Sequence, residues 1–329
     1  MCIDVHAHHV PASYMELLRA GGGPGFGAPH DEQTLRRMIA GQDELGIRTQ
    51  VLSTGPNSPY LRDAGRAAAA ARHINDVYRD IVERHAGRFA AFGSVPLPHG
   101  EAAAAEAVRC LDELGFAGIH VGCSALGHAL DDPGFDALWT ALDERAAVVY
   151  VHPGGILCGT EPGLAGMDDP AIAVTIGSAA ELATAALKLV SVCRKRRRLR
   201  VIVGLLGGAL PFLLQRVVWL SGRIAVPAPT DGGPPPGSLI DELRRFSYDT
   251  NLLPDPAVIP AALRAYGIGR LLFGSDAPAL SPSDTARLLR EGGIDDDDFM
   301  KILRDNPAAL FGTSLGRPRP HASRTERQA

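Results

Sequence analysis

Eight short apolar runs, each followed by a stretch of helical period, constrain this chain more than any other feature of its sequence. They fall at 3–5, 49–52, 89–95, 118–121, 148–151, 201–203, 246–248 and 270–273, and each is apolar enough for a parallel strand covered on both faces. The Ala- and Leu-rich stretches at 67–83, 101–114, 135–144 and 179–190 repeat their apolar positions every three to four residues, the period of a helix packed on a sheet. Right-handed crossovers put such helices outside the strands. Eight strands favour closure, so the expected fold class is α/β, a (β/α)8 TIM barrel. The rival is an open doubly wound sheet, which normally carries a Gly-rich turn after its first strand. Here that position holds Val5-His6-Ala7-His8-His9.

The 329 residues exceed the usual size of one domain, yet α/β barrels of this length form around a single core. One barrel is expected over residues 1–314. The Arg-rich end at 315–329 lacks apolar anchors and is expected to be disordered. Stretches 21–30, 153–170 and the Pro/Gly-rich 226–237 read as loops, the second directly after the fifth strand, where barrel enzymes keep active-site loops. A formal net charge of −4 offers no basic field for nucleic acid, and no cationic amphipathic segment suggests a membrane surface. The basic run at 194–200 fits a solvated helix C-terminus better than a nucleic-acid patch. Cys2, Cys110, Cys123, Cys158 and Cys193 are scattered, as reduced thiols of a cytoplasmic protein would be.

The chemistry concentrates at the predicted strand ends. His6 and His8 lie two apart, so strand alternation turns both imidazoles to one side. His152 closes the fifth strand in Val149-Tyr150-Val151-His152-Pro153, and Asp276 follows the eighth in Phe273-Gly274-Ser275-Asp276. Three imidazoles and a carboxylate at the carboxyl ends of strands one, five and eight suit one borderline divalent metal with an open position for water or substrate. Any one of these residues alone would more often be structural; the set is not. His9 has the opposite parity and is read as structural or supporting. Asp4 shares the parity of the pair and is expected to make a buried hydrogen bond beneath the site.

These residues carry a family likeness. The chain resembles the amidohydrolase-related decarboxylases typified by aminocarboxymuconate-semialdehyde decarboxylase. The likeness runs through Ile3-Asp4-Val5-His6-Ala7-His8, Glu113-Leu114-Gly115-Phe116, Gly207-Gly208-Ala209-Leu210-Pro211-Phe212, Tyr248-Asp249-Thr250, Phe273-Gly274-Ser275-Asp276-Ala277-Pro278 and Asn306-Pro307-Ala308-Ala309-Leu310-Phe311-Gly312. It implies an amidohydrolase-like barrel, a homodimer and a single divalent metal, zinc first and manganese second. It also implies loss of carboxylate from an aromatic or unsaturated acid; related members hydrate or hydrolyse such acids.

One departure stands out. The family's catalytic histidine at the end of strand six is replaced by Leu205 in Gly204-Leu205-Leu206, and leucine can neither transfer a proton nor orient water. Stretch 21–30 likewise offers no equivalent of a carboxylate-binding arginine found in some members. His120, between Ile119 and Val121, is expected to face inward, as a structural histidine or as a substitute proton carrier beside Asp276. Arg216 and Arg223 are candidates for binding substrate carboxylate across a dimer interface, against the plainer reading of surface ion pairs. Glu181 matches an acidic position that supports the site. Trp139 and Trp219 are expected to be packing residues. Three readings follow for the whole chain: a metal-dependent carboxy-lyase, a metal-dependent hydrolase or hydratase, and a catalytically degenerate barrel that binds a ligand or a homologous subunit.

Overall fold

A computed structural model describes residues 1–23, 25–154, 170–221, 223, 238–251, 255–312 and 315. Eight strands follow one another around a parallel sheet: β1 (Ile3–His8), β2 (Thr49–Ser53), β3 (Phe89–Ser94), β4 (Gly118–Gly122), β5 (Val148–His152), β6 (Arg200–Val203), β7 (Ser247–Asp249) and β8 (Leu271–Leu272). The sheet closes on itself. Val5 N–H donates to Phe273 O at 2.8 Å, Asp276 N–H to His6 O at 2.8 Å and His8 N–H to Ala277 O at 2.7 Å. The expected (β/α)8 barrel is therefore the fold. A small hairpin, Ser124–Ala125 against His128–Ala129, follows β4 and was not expected.

Local sequence explains the surrounding helices. Asp31 caps Glu32–Leu45 reciprocally with Thr34, and Gly46 ends that helix in the left-handed conformation at φ 65°. Asp63 caps Ala64–Arg84. The helix expected at 101–114 runs as Gly100–Val108 and then widens into a single π turn, Arg109–Glu113. There Arg109 holds Glu106 and Asp76 in a part-buried ion cluster, a pairing across elements that periodicity does not encode. The long helix Pro170–Lys195 ends in Arg194 and Lys195, as expected for basic residues at a helix C-terminus. Its stretch Val174–Lys195 is apolar enough to cross a membrane, but 61% of its most apolar window is buried within the protein. Segments 155–169 and 226–237 and the end from 316 onward, with Cys158, lie outside the described residues. The other four cysteines are free thiols.

The interior of the barrel holds Ile3, Val5, Val51, Phe92, Val148, Tyr150 and Ile202, while Ala7, Leu52, Ala91, Ile119, Val149 and Val203 face the helices. β1 does not keep strict alternation. Its register against β2 runs from Asp4 opposite Gln50 to Ala7 opposite Leu52, three residues against two, which is a β-bulge. The bulge corrects the parity argument for Asp4. That carboxylate bonds Gln50, itself bonded to Gln42 of helix Glu32–Leu45, so it belongs to the layer between barrel and helices and not to the face of His6. Asp4 also accepts from the backbone N–H groups of His6 and Ser275 and from the Ser275 hydroxyl, tying the β1 bulge to the turn that carries Asp276. Burial drives its carboxyl above the ordinary value even though all four donors pull it down. Asp4→Leu would strand those buried donors at about 1–3 kcal/mol each. The expected result is a fall in Tm of more than 5 °C together with lower metal content, read by differential scanning calorimetry and elemental analysis.

Candidate metal centre

The bulge turns His6 and His8 together onto the rim at the carboxyl end of the barrel. Their Nε2 atoms lie 3.0 Å apart. With the His152 ring at the end of β5, the nearest ligand atoms of all three histidines fall within 4.8 Å of one another, and all three residues are buried. Asp276 follows β8 at φ 67°. Its Oδ1 reaches 3.0 Å from His8 Nε2 and 3.5 Å from His6 Nε2. The four residues expected at one site are thus brought together.

The opposite edge of each ring decides what this convergence can hold. His6 Nδ1 lies 3.0 Å from Asp249 Oδ2. His8 Nδ1 lies 3.0 Å from Ser53 Oγ, and His152 Nδ1 lies 2.7 Å from the Pro153 carbonyl. A carboxylate and a carbonyl can only accept, so His6 and His152 carry their protons on Nδ1; a donated bond to Ser53 gives His8 the same tautomer. All three Nε2 lone pairs then point at a common space beside an anionic oxygen. Acceptors packed this closely repel unless a cation lies among them, and three nitrogens with one carboxylate form a donor set for a dication with open positions. The residues present therefore fit a single divalent metal.

Electrostatics agree. Burial works to lower the pKa of His6, but Asp249 and Asp276 outweigh it and hold it up at about 10. Burial works to raise Asp276, and His6 and His8 hold its carboxyl well below the carboxylate range. Burial, then His8 and His6, push His152 well below its ordinary value, so it is a neutral donor. The metal-free protein consequently favours a proton on His6 where a dication would otherwise sit. A histidine raised from 6.5 to about 10 by folding contributes stability that is complete below pH 6.5 and is lost as pH rises through 10. Metal affinity follows the opposite slope, because each displaced proton costs up to about tenfold in affinity per pH unit. Between pH 7 and 10 the apo protein is expected to lose Tm while its zinc affinity rises; parallel slopes in the two titrations would contradict this assignment of His6.

Asp249 was quoted from the sequence only within Tyr248-Asp249-Thr250 and was given no role at the site. It is fully buried and accepts from His6 Nδ1, from Tyr150 OH at 3.0 Å and from the N–H groups of Leu205 and Asn251, each at 3.0 Å. The available signal was positional: it closes strand seven, at the rim where the ligands lie, in Ser247-Tyr248-Asp249. Leu205 begins the turn after β6, with Leu205 and Leu206 at φ 49° and 51°. It is half-buried against the core, and it serves the site through its backbone N–H to Asp249, whatever its side chain.

Other expected residues fall in varied places. His120 faces the barrel interior, with Nδ1 at 3.3 Å from Thr54 Oγ1 and Nε2 buried without a hydrogen bond among the described residues. Burial, then His8 and His6, lower its pKa to about 3. It sits beside Thr54, which lines the cavity, with its ring 6.0 Å from that of His152, and its low pKa makes it neutral. Arg216 and Arg223 are exposed and do not line that cavity within one chain. The Arg223 guanidinium stacks 4.3 Å from the Trp219 ring. Of the two tryptophans read as packing residues, Trp139 is buried and donates to Leu130 O, whereas Trp219 is 57% exposed. Glu181 accepts from Gly154 N–H, bracing the turn after His152. His9 packs on His30, and burial followed by His30 lowers it to about 4.

Above the ligands lies a cavity of about 510 Å³, with His8, His152 and Asp276 at its floor. Val10, Phe26, Pro29, Pro278 and Ala279 give it apolar walls. Arg37 also lines it, its guanidinium steadied by the Thr34 hydroxyl at 3.0 Å. Sequence reading looked for an arginine in stretch 21–30 and missed this one, which arrives from the helix after it.

Comparison with known proteins adds an independent line. A family model described as Amidohydrolase matches residues 3–313. The chain is 29% identical over 328 residues to a 6-methylsalicylic acid decarboxylase of Aspergillus aculeatus, covering 94% of this chain and 96% of that protein. It is 26% identical over 318 residues to a gamma-resorcylate decarboxylase of Rhodococcus jostii, covering 93% of each. The structure of a dihydroxybenzoic acid decarboxylase from Polaromonas, solved with manganese and 2-nitroresorcinol, matches with a TM-score of 0.76 at 24% identity over 94% of this chain and 96% of that one.

Proposed function

The chain belongs to the amidohydrolase family along residues 3–313, and from that premise we propose that it is a metal-dependent carboxy-lyase that removes CO2 from an aromatic carboxylic acid. The observation that carries this reading is the convergence of three imidazole Nε2 atoms and the Asp276 carboxylate at the floor of an apolar-walled cavity. The relatives' names and the manganese in a matching structure support the same class of reaction and a divalent metal. We propose His6, His8, His152 and Asp276 as its ligands, with manganese or zinc as the ion. Once bound, such an ion supplies positive charge that draws acid oxygens to the cavity floor and stabilises negative charge as the carbon–carbon bond breaks.

The chain's own groups divide the remaining work. Asp249 keeps His6 in the ligating tautomer. The apolar walls hold the ring and exclude water. Arg37 offers a fork of donors to an acidic substituent at the cavity wall. Leu205 removes the proton carrier usual at the end of strand six, and His120, beside Thr54, is neutral, so the proton falls to Asp276. Its carboxylate accepts the phenolic proton of a bound hydroxybenzoate and passes it to the ring carbon bearing the carboxylate. The bond to that carboxylate then breaks, its electron pair returns to the ring, CO2 leaves, and water reprotonates the phenolate.

The test is incubation of protein loaded with manganese or zinc with 6-methylsalicylate, 2,6-dihydroxybenzoate and muconate-type acids in ¹⁸O-labelled water. Release of CO2 and the decarboxylated arene is expected. Stoichiometric metal without CO2 across the panel overturns the lyase reading, and ¹⁸O in a product without CO2 selects the hydrolytic chemistry of the wider family.

We further propose that the protein is a cytoplasmic homodimer formed through helix Leu210–Ser221. Phe212, Arg216 and Trp219 recur at helical spacing on one exposed face, with Phe212 62% and Trp219 57% exposed. Ile172 and Ile176 of the neighbouring helix Pro170–Lys195 are exposed as well. Large apolar side chains exposed together in this way are a usual mark of an interface. Arg216 and Arg223 stand on or beside it, where they can reach a partner's cavity. Phe212→Glu with Trp219→Glu is expected to halve the mass in light scattering without lowering helix content; an unchanged mass removes this face from consideration.

A further inference from the structure

At the opposite end of the barrel from the metal centre, a second concavity of about 340 Å³ is bordered by Arg197, Arg198, Arg200, Arg245 and Arg270. All five stand at or before the first residues of β6, β7 and β8, where the strands begin. Their charges are poorly compensated. Glu242 is shared by Arg197 and Arg245 at 2.8 and 2.9 Å. Arg200 is exposed and spends its donors on the carbonyl oxygens of Ala146 and Leu310, leaving its charge without a carboxylate partner among the described residues. Among the described residues no carboxylate pairs with the side chain of Arg198 or Arg270. Asp143 Oδ1 accepts from the Arg198 backbone N–H at 2.8 Å, but among the described residues three guanidinium groups pair with no carboxylate and two share one, all around a single hollow in a chain whose formal net charge is −4.

Like charges held together repel, and a low-dielectric concavity focuses the field between them. Guanidinium forks match the paired oxygens of phosphate, and arginines converging from separate elements match more than one such group. We infer that this hollow binds a small anion carrying two or more phosphate groups, separately from the metal centre and without competing for it.

The probe is inorganic pyrophosphate, titrated calorimetrically into zinc-loaded protein at low ionic strength, with orthophosphate alongside. One equivalent of pyrophosphate is expected to bind at least tenfold more tightly than orthophosphate, and the affinity is expected to fall steeply with added salt. Arg198→Ala with Arg270→Ala should weaken it at least tenfold, while Arg198→Lys with Arg270→Lys, which keeps charge but loses the fork, recovers only part. Both residues are exposed, so unchanged circular dichroism and Tm are expected of these variants. Absence of binding overturns the inference. So does pyrophosphate affinity that survives in the double alanine variant and disappears on metal removal, because the anion is then a ligand of the metal centre.

Discussion

Asp276→Asn is expected to lower kcat/KM for decarboxylation by a factor of at least about 10³ while leaving the fold intact. Two losses combine. The amide cannot accept and return a proton, and a general acid–base role accounts for about 10² to 10⁴ in rate. It also replaces an anionic oxygen 3.0 Å from His8 Nε2 with a neutral one, so metal is held by three imidazoles and a weak fourth donor. The two effects separate experimentally. At saturating manganese the occupancy defect vanishes and the proton-transfer defect remains, so kcat should stay low when metal is restored. Recovery of kcat to within a few-fold of the parent would show that Asp276 only holds the ion and that the proton travels elsewhere.

Asp249→Asn has the next largest expected effect, on metal and not directly on chemistry. The carboxylate receives four donors. An amide of the same shape has only one acceptor atom, so its NH2 must face either the His6 and Tyr150 donors or the two backbone N–H groups. The first orientation frees His6 to change tautomer and present an N–H to the ion. Loss of such a support typically costs 10- to 100-fold in metal affinity. The measurement is zinc affinity by chelator competition, and a Kd within threefold of the parent would show that His6 needs no help in keeping its tautomer. The Tm of the apo variant should drop as well, since buried donors left unmet cost about 1–3 kcal/mol each.

Much of the barrel was legible because its strands and helices follow from short-range period, and period is local. The eight apolar runs fall on the eight strands almost residue for residue, and the proposed ligands His6, His8, His152 and Asp276 stand at or just past their carboxyl ends. What failed had long-range causes. Parity assigned Asp4 to the ligand face because a single inserted residue in β1, set by its pairing with β2, cannot be seen in β1 alone. Trp219 was read as a packing residue because its hydrophobicity is plain in the sequence, whereas its exposure depends on which face of helix Leu210–Ser221 meets the barrel. His120 was correctly turned inward, where the neighbour it meets, Thr54, arrives from a different strand.

By itself, then, the sequence determined the fold class, the family, and the residue types that reach the open rim, since alternation and strand ends depend on neighbours along the chain. The tertiary structure decided the protonation pattern of the centre. Asp249, Ser53 and the Pro153 carbonyl choose which nitrogen of each imidazole is free, and only folding brings Asp249 and Ser53 to His6 and His8. It also decided where Arg37 and the five arginines at the far end would gather. Electrostatic consequences depend on separation in space, and separation in space is what a closed barrel creates from residues far apart in the chain.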